Sequence, residues 1–137
     1  MQILYSIGVR LIRCILYILP ISGKVKQFII SRKRIWDDIQ TVPSDREVIW
    51  MHCASFGEYE QGVPILKALK AKNPQAFYLV TFFSASGYLA KKMHQVADLT
   101  TYLPWDNRTD MRRFIKKLQP AKVLIIKYEF WPNLLIE

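Results

Sequence analysis

The chain has 137 residues, of which 51% are apolar, 23% charged and 13% aromatic, proportions that suit one modest globular domain. Seven prolines and five glycines exclude a disordered or collagen-like chain, and two cysteines at unrelated positions, Cys14 and Cys53, exclude a disulfide framework or a four-ligand zinc knot. The net charge of +9 is concentrated at the front, where seven basic residues and no acidic one precede Asp37. The remainder is nearly balanced, so a basic body built to wrap nucleic acid is not expected.

Residues 3–19 are mostly apolar, interrupted by Arg10 and Arg13 and closed by Pro20. As a helix they rise about 26 Å, short of a hydrocarbon core of roughly 30 Å. Ser6, Arg10, Arg13 and Tyr17 fall on one side at helical spacing, and Ile3, Leu4, Ile7, Leu11, Ile15 and Ile18 on the other. The pattern predicts a helix lying in a membrane interface, with Lys24, Lys26, Arg32, Lys33 and Arg34 joining Arg10 and Arg13 against anionic lipid. A single span and internal packing are the alternatives. Residues 1–35 are thus expected to form a membrane-association segment, and 45–137 a globular domain.

Beyond the turn-like stretch Thr41-Val42-Pro43-Ser44-Asp45, strands are predicted over 47–53, 76–83, 99–103 and 122–127. Helices are predicted over 58–72, with Val63, Leu66 and Leu69 inward, over 86–96, and over 109–118. Such alternation indicates βαβ units and a Rossmann-like parallel sheet, whose two covered faces account for the apolar run Val123-Leu124-Ile125-Ile126. The chain stops within an apolar stretch at Leu134-Leu135-Ile136-Glu137, and is expected to be the front of a longer protein.

A doubly wound sheet carries its working residues at the carboxyl ends of its strands, near the switch in strand order. With the order 3-2-1-4, Glu58 and Glu129 flank one crevice. Glu58 has two readings: partner of Ser55 in a capping box, or a general base made effective by partial burial. Gly57 leaves room for a ligand or takes a positive φ. The run Ser84-Ala85-Ser86-Gly87 is either an ordinary helix start or a cradle for a phosphate or sugar hydroxyl. Glu129 is a charge on an aromatic ledge, a salt-bridge partner of Lys127, or a helix cap. Asp106 reads as an N-cap or a ligand, His52 is placed near the crevice, and Arg112, Arg113, Lys116 and Lys117 read as a solvated face or a contact for anionic head groups. No metal site, serine triad, Walker A loop or GxGxxG fingerprint is present in the sequence.

Four ordered blocks make the chain resemble the bacterial Kdo transferases, the 3-deoxy-D-manno-octulosonic acid transferases of lipopolysaccharide assembly. They are Trp50-Met51-His52-Cys53-Ala54-Ser55-Phe56-Gly57-Glu58 with Pro64-Ile65-Leu66-Lys67-Ala68-Leu69, then Thr81-Phe82-Phe83-Ser84-Ala85-Ser86-Gly87, then Tyr102-Leu103-Pro104-Trp105-Asp106, and Lys127-Tyr128-Glu129-Phe130-Trp131-Pro132-Asn133-Leu134. The resemblance implies the first half of a two-domain GT-B type glycosyltransferase at the cytoplasmic face of the cell inner membrane. Its acceptor would be a lipid A precursor and its donor CMP-Kdo, held mainly by a carboxyl-terminal domain absent from this chain, with no cofactor and no metal. Glu58 matches the family's general base, which would deprotonate an acceptor hydroxyl for inverting attack. Glu129 matches a second glutamate of the cleft, and Ser55, Gly57, Ser84, Ser86 and Gly87 match loop positions around the pocket. The 137 residues alone are expected to be inactive. Tyr59-Glu60-Gln61-Gly62, Phe82-Phe83 and Lys127-Tyr128 depart from common family patterns, leaving the exact lipid and the number of sugars undefined. A non-catalytic lipid-binding scaffold and a transferase with another sugar-nucleotide donor are the competing readings.

Overall fold

The computed structural model describes residues 2–19, 23–84 and 96–137. In chain order these form α1 (Gln2–Ile18), α2 (Gly23–Lys33), α3 (Ile35–Asp38) with a short 3-10 turn (Ile39–Thr41), β1 (Val48–Cys53) and α4 (Phe56–Lys72). There follow β2 (Phe77–Phe82), β3 (Leu99–Tyr102), α5 (Arg108–Leu118), β4 (Lys122–Ile125) and α6 (Pro132–Ile136). The helix predicted over 86–96 lies outside the described residues.

The strands pair in parallel in the order β3-β2-β1-β4, as expected. β1 and β2 are buried along their whole lengths, and alternation sends their side chains to two different cores. Val48 and Trp50 join Phe77, Leu79, Phe114 and Leu118 on one face, beneath α3, α5 and α6. Ile49, Met51 and Cys53 join Tyr78, Val80, Phe82, Tyr59 and Leu66 on the other, beneath α4. Val63 and Leu69 pack against that second core, in keeping with the predicted inward face of α4. Gly62 has a steric reason: a Cβ there would stand 2.6 Å from Met51 Sδ and 3.1 Å from Ile126 Cδ1, so a larger residue would force these side chains to shift.

β4 departs from expectation. It pairs only with β1 among the described residues, and Val123 is 44% exposed, so the apolar run is not covered on all sides. The strand also ends at Ile125, because Lys127 takes a left-handed conformation (φ 64°) that turns the chain out of the sheet.

The amino-terminal helix sits with its polar side on the domain. Ser6 Oγ donates to Asn133 Oδ1, Arg10 donates to Thr109 Oγ1, and Arg13 pairs with Asp110 at 2.7 Å. The apolar side faces outward, with Ile3, Leu4 and Ile18 at least 70% exposed and Ile7, Leu11, Ile12 and Ile15 about half exposed. Among the described residues, no helix is long and apolar enough to cross a membrane.

Candidate active site

The loops leaving β1, β2 and β4 meet at the carboxyl edge of the sheet. Backbone bonds bring the first two side by side, since Phe83 N donates to Cys53 O (3.3 Å) and Ser84 N to Ala54 O (2.9 Å). Ile126 N donates to His52 O (3.0 Å), carrying the β4 chain alongside β1 before it turns at Lys127. The two glutamates therefore stand on either side of β1's last residues. Cys53 registers both: burial, followed by the fields of Glu58 and then Glu129, pushes its thiol up to about 12.

Glu58 lies in the first turn of α4, where its Oε2 accepts a 2.6 Å hydrogen bond from Ala54 N. The predicted capping box is thus displaced by one residue. The carboxylate reaches past Ser55, whose side chain makes no cap bond, to the amide before it. That clamp fixes the carboxylate against the loop. Gly57 has no positive φ, and nothing lies within 4 Å of where its Cβ would be, so open space is the reading that stands. Ser84 is placed at the crevice by the loop bond, whereas Ser86 and Gly87 lie outside the described residues.

Among the described residues, Glu129 neither caps a helix nor pairs with Lys127. Its Oε2 accepts from Trp131 Nε1 at 2.7 Å, and Trp131 in turn stacks on Phe83 with ring centroids 4.8 Å apart. Tyr128 and Phe130 flank it and are 85% and 65% exposed, an aromatic rim around one carboxylate.

His52 was legible only as a neighbour of the crevice, and its role comes from the fold. It is fully buried, with Nδ1 2.9 Å from Thr81 Oγ1 and Nε2 3.6 Å from Glu129 Oε2. Burial, aided by the field of Arg32 and opposed by the Thr81 backbone contact, pushes its pKa down to about 4, so the imidazole is neutral at pH 7 and no ion pair forms. Nδ1 also lies 3.2 Å from Thr81 O, a carbonyl that can only accept, while the Thr81 hydroxyl oxygen accepts from Trp50 Nε1 at 2.8 Å. Nε2, on the Glu129 side, has no hydrogen-bond partner among the described residues.

This burial makes stability pH-dependent. With a folded pKa near 4 against 6.5 unfolded, the unfolded chain binds more protons between those values. The stabilisation is intact above pH 6.5 and is lost as pH falls towards 4, by about 3 kcal/mol. Urea midpoints measured from pH 7 to 4 should drop accordingly, and His52→Gln should flatten the slope. An unchanged slope in that variant would assign the loss to other groups.

The remaining predicted residues divide by position. Lys26, Lys33 and Arg34 are exposed, while the side chain of Lys24 lies outside the described set. Arg32 does not face outward with them: it is 3% exposed, its guanidinium lies 3.7 Å from the Phe28 ring, and it donates to Phe83 O at 2.7 Å. Flanking rings at Phe28, Phe83, Tyr102 and Trp105 make burial of this cation tolerable. Asp106 is a cap, but of a distant helix. Its carboxylate accepts from Asn133 N and Leu134 N in the first turn of α6, while Asn107 caps α5. Arg112 pairs with Glu137 at 2.8 Å and Arg113 covers the Trp36 ring, so the basic side of α5 is only partly solvated. Among the described residues, no three His, Cys, Asp or Glu side chains gather in a metal-binding group.

A parallel α/β sheet with two carboxylates at the switch in strand order is the arrangement in which open α/β domains place their binding crevice. Comparison with known proteins gives the family. Residues 28–137 match the model of the 3-deoxy-D-manno-octulosonic-acid transferase (kdotransferase) family, and the chain belongs to it. A 3-deoxy-D-manno-octulosonic acid transferase of Aquifex aeolicus is 34% identical over 71% of this chain and 27% of its own length. One from Rickettsia felis is 33% identical over 64% of this chain and 19% of its own. A bifunctional glycosyltransferase/methyltransferase of Fusobacterium nucleatum is 29% identical over 93% of this chain and 20% of its own. The chain spans about a quarter or less of the length of these relatives.

Proposed function

We propose that this chain is the acceptor-side domain of a Kdo transferase with a two-domain GT-B architecture. The complete protein would transfer Kdo from CMP-Kdo to a lipid A precursor. The observation that carries this reading is the pairing of Glu58 and Glu129 across the end of β1, with Glu58 clamped by Ala54 N and Glu129 by Trp131. Glu58 takes the proton from a sugar hydroxyl as its oxygen bonds to the anomeric carbon, the carbon–phosphate oxygen bond breaks, and CMP departs with inversion. Glu129, facing the neutral His52, orients the acceptor. The donor nucleotide would be held mainly by the second domain, so the 137 residues alone should not turn over.

The test is transfer from CMP-Kdo to a tetraacylated lipid A precursor by the full-length parent, read by product mass. A gain of one Kdo supports the assignment, and no gain from folded protein overturns it for these substrates.

The outward apolar side of α1 supports attachment in the plane of a membrane, with residues 1–35 as the attachment segment. Because Leu4 and Leu11 are 74% and 58% exposed, Leu4→Asp with Leu11→Asp should leave the folded core intact. The double variant should lose flotation with anionic vesicles, and undiminished flotation would remove α1 from the attachment surface.

A further inference from the structure

Arg32 sits on α2, outside the strands that carry the crevice, and no step of the proposed chemistry uses it. It is 3% exposed, forms no ion pair among the described residues, and its Nε is buried without an acceptor. Burying a cation on those terms is costly. An apolar side chain of similar volume among the rings of Phe28, Phe83, Tyr102 and Trp105 would avoid that cost. What the guanidinium adds is a charged donor at one carbonyl, since its Nη2 reaches Phe83 O at 2.7 Å.

That carbonyl belongs to the peptide group between Phe83 and Ser84. The N–H of the same plane donates to Ala54 O at 2.9 Å. One peptide group earlier, Phe83 N donates to Cys53 O (3.3 Å), and the amide in that acceptor's plane is Ala54 N, which holds Glu58 Oε2 at 2.6 Å. The Phe83 ring meanwhile stacks on Trp131 (4.8 Å), whose Nε1 holds Glu129 Oε2 at 2.7 Å. Phe83 thus stands between the two glutamate clamps, and Arg32 fixes Phe83. Hydrogen bonds in series polarise one another, and a charged donor at the head of the series strengthens those behind it. We propose that Arg32 is a positioning residue for the crevice, holding the Phe83–Ser84 peptide plane and, through Phe83, the carboxylates of Glu58 and Glu129. This role deepens the transferase reading, on which its effect on turnover rests, whereas its effect on the Trp131–Glu129 bond does not depend on any reaction.

Solvent exchange of the indole N–H protons, read by NMR on the isotope-labelled chain, tests that bond without substrate. Arg32→Met keeps an unbranched stem among the rings and removes the donors. It should speed exchange at Trp131 Nε1 about fivefold or more, the factor for one weakened hydrogen bond. Trp50 Nε1, held by Thr81 Oγ1 at 2.8 Å, reports the fold as a whole and should keep its rate. Arg32→Gln, too short to reach the carbonyl, is read in the same way if circular dichroism shows that Arg32→Met does not fold. An unchanged Trp131 rate, or an equal rise at Trp50 and Trp131, would overturn the positioning role. In the full-length parent the same variant should lower kcat for Kdo transfer about tenfold and change KM by about twofold at most. Parental kcat in the variant would also overturn the role. A parent without transfer would overturn the transferase reading instead, and the exchange rates alone would then decide the role of Arg32.

Discussion

Glu58→Gln in the complete protein should lower kcat about 10³-fold, with little change in KM or in stability. Glutamine is the informative replacement because of the local geometry. Its amide oxygen can still accept the Ala54 N–H bond that Glu58 Oε2 makes at 2.6 Å, so the loop stays clamped. What it loses is basicity. A sugar hydroxyl is a weak nucleophile until its proton is taken, and a positioned carboxylate contributes typically 10²–10⁴-fold to such a step. Glu58→Ala removes the clamp as well, and should show the same catalytic loss together with a stability loss of about 1–3 kcal/mol. If Glu58→Gln kept near-parental turnover while Glu58→Ala lost stability, the residue would be a cap only. Product mass and urea unfolding on the same two variants separate these outcomes.

Asp106→Ala should cost about 3–5 kcal/mol, the largest stability loss expected for any residue outside the two apolar cores. The carboxylate is 4% exposed and accepts from Asn133 N (3.1 Å) and Leu134 N (2.9 Å), two first-turn amides of α6. Both amides are buried, so removing the acceptor leaves each with its desolvation penalty, about 1–3 kcal/mol apiece. Tyr5 also bonds to Asp106, and burial with that bond and its charge pushes the phenol up to about 12, so α1 is fastened at the same point. Asp106→Asn retains one accepting oxygen and should cost roughly half as much. Chemical denaturation of the three proteins checks the order, and a loss below about 1 kcal/mol in Asp106→Ala would mean that water replaces the cap. Since α6 follows Glu129 and Trp131 directly in the chain, the alanine variant should also loosen the second glutamate.

Most of the fold was readable in the sequence because its signals are local. Two fully buried strands with a turn or helix start at each end, and a helix with Leu66 inward between them, follow from spacing alone, and right-handed crossovers leave few ways to order such strands. The crevice followed from that order, and Glu58 and Glu129 with it. The failures have one cause. Asp106 looked like a cap for the helix beside it, yet its partners lie 27 and 28 residues away. Arg32 looked like one more charge in a basic run, yet aromatic rings from three separate stretches of chain close over it. His52 had no visible partner until β1, β2 and β4 brought Thr81 and Glu129 to its two nitrogens.

The α1 helix shows the division within one element. Its amphipathic period was fixed by the order of residues, but the period does not say which side meets the protein. Asp110 and Thr109 settled that by receiving Arg13 and Arg10, leaving the apolar side outward. By itself the sequence determined the strands and their parallel class, because hydrophobic period and turn chemistry act between near neighbours, while the crevice between the two carboxylates rested on a supposed order that the fold bears out. Only the tertiary structure decided where each buried charge finds its partner, because that energy depends on separation in space between groups far apart in the chain.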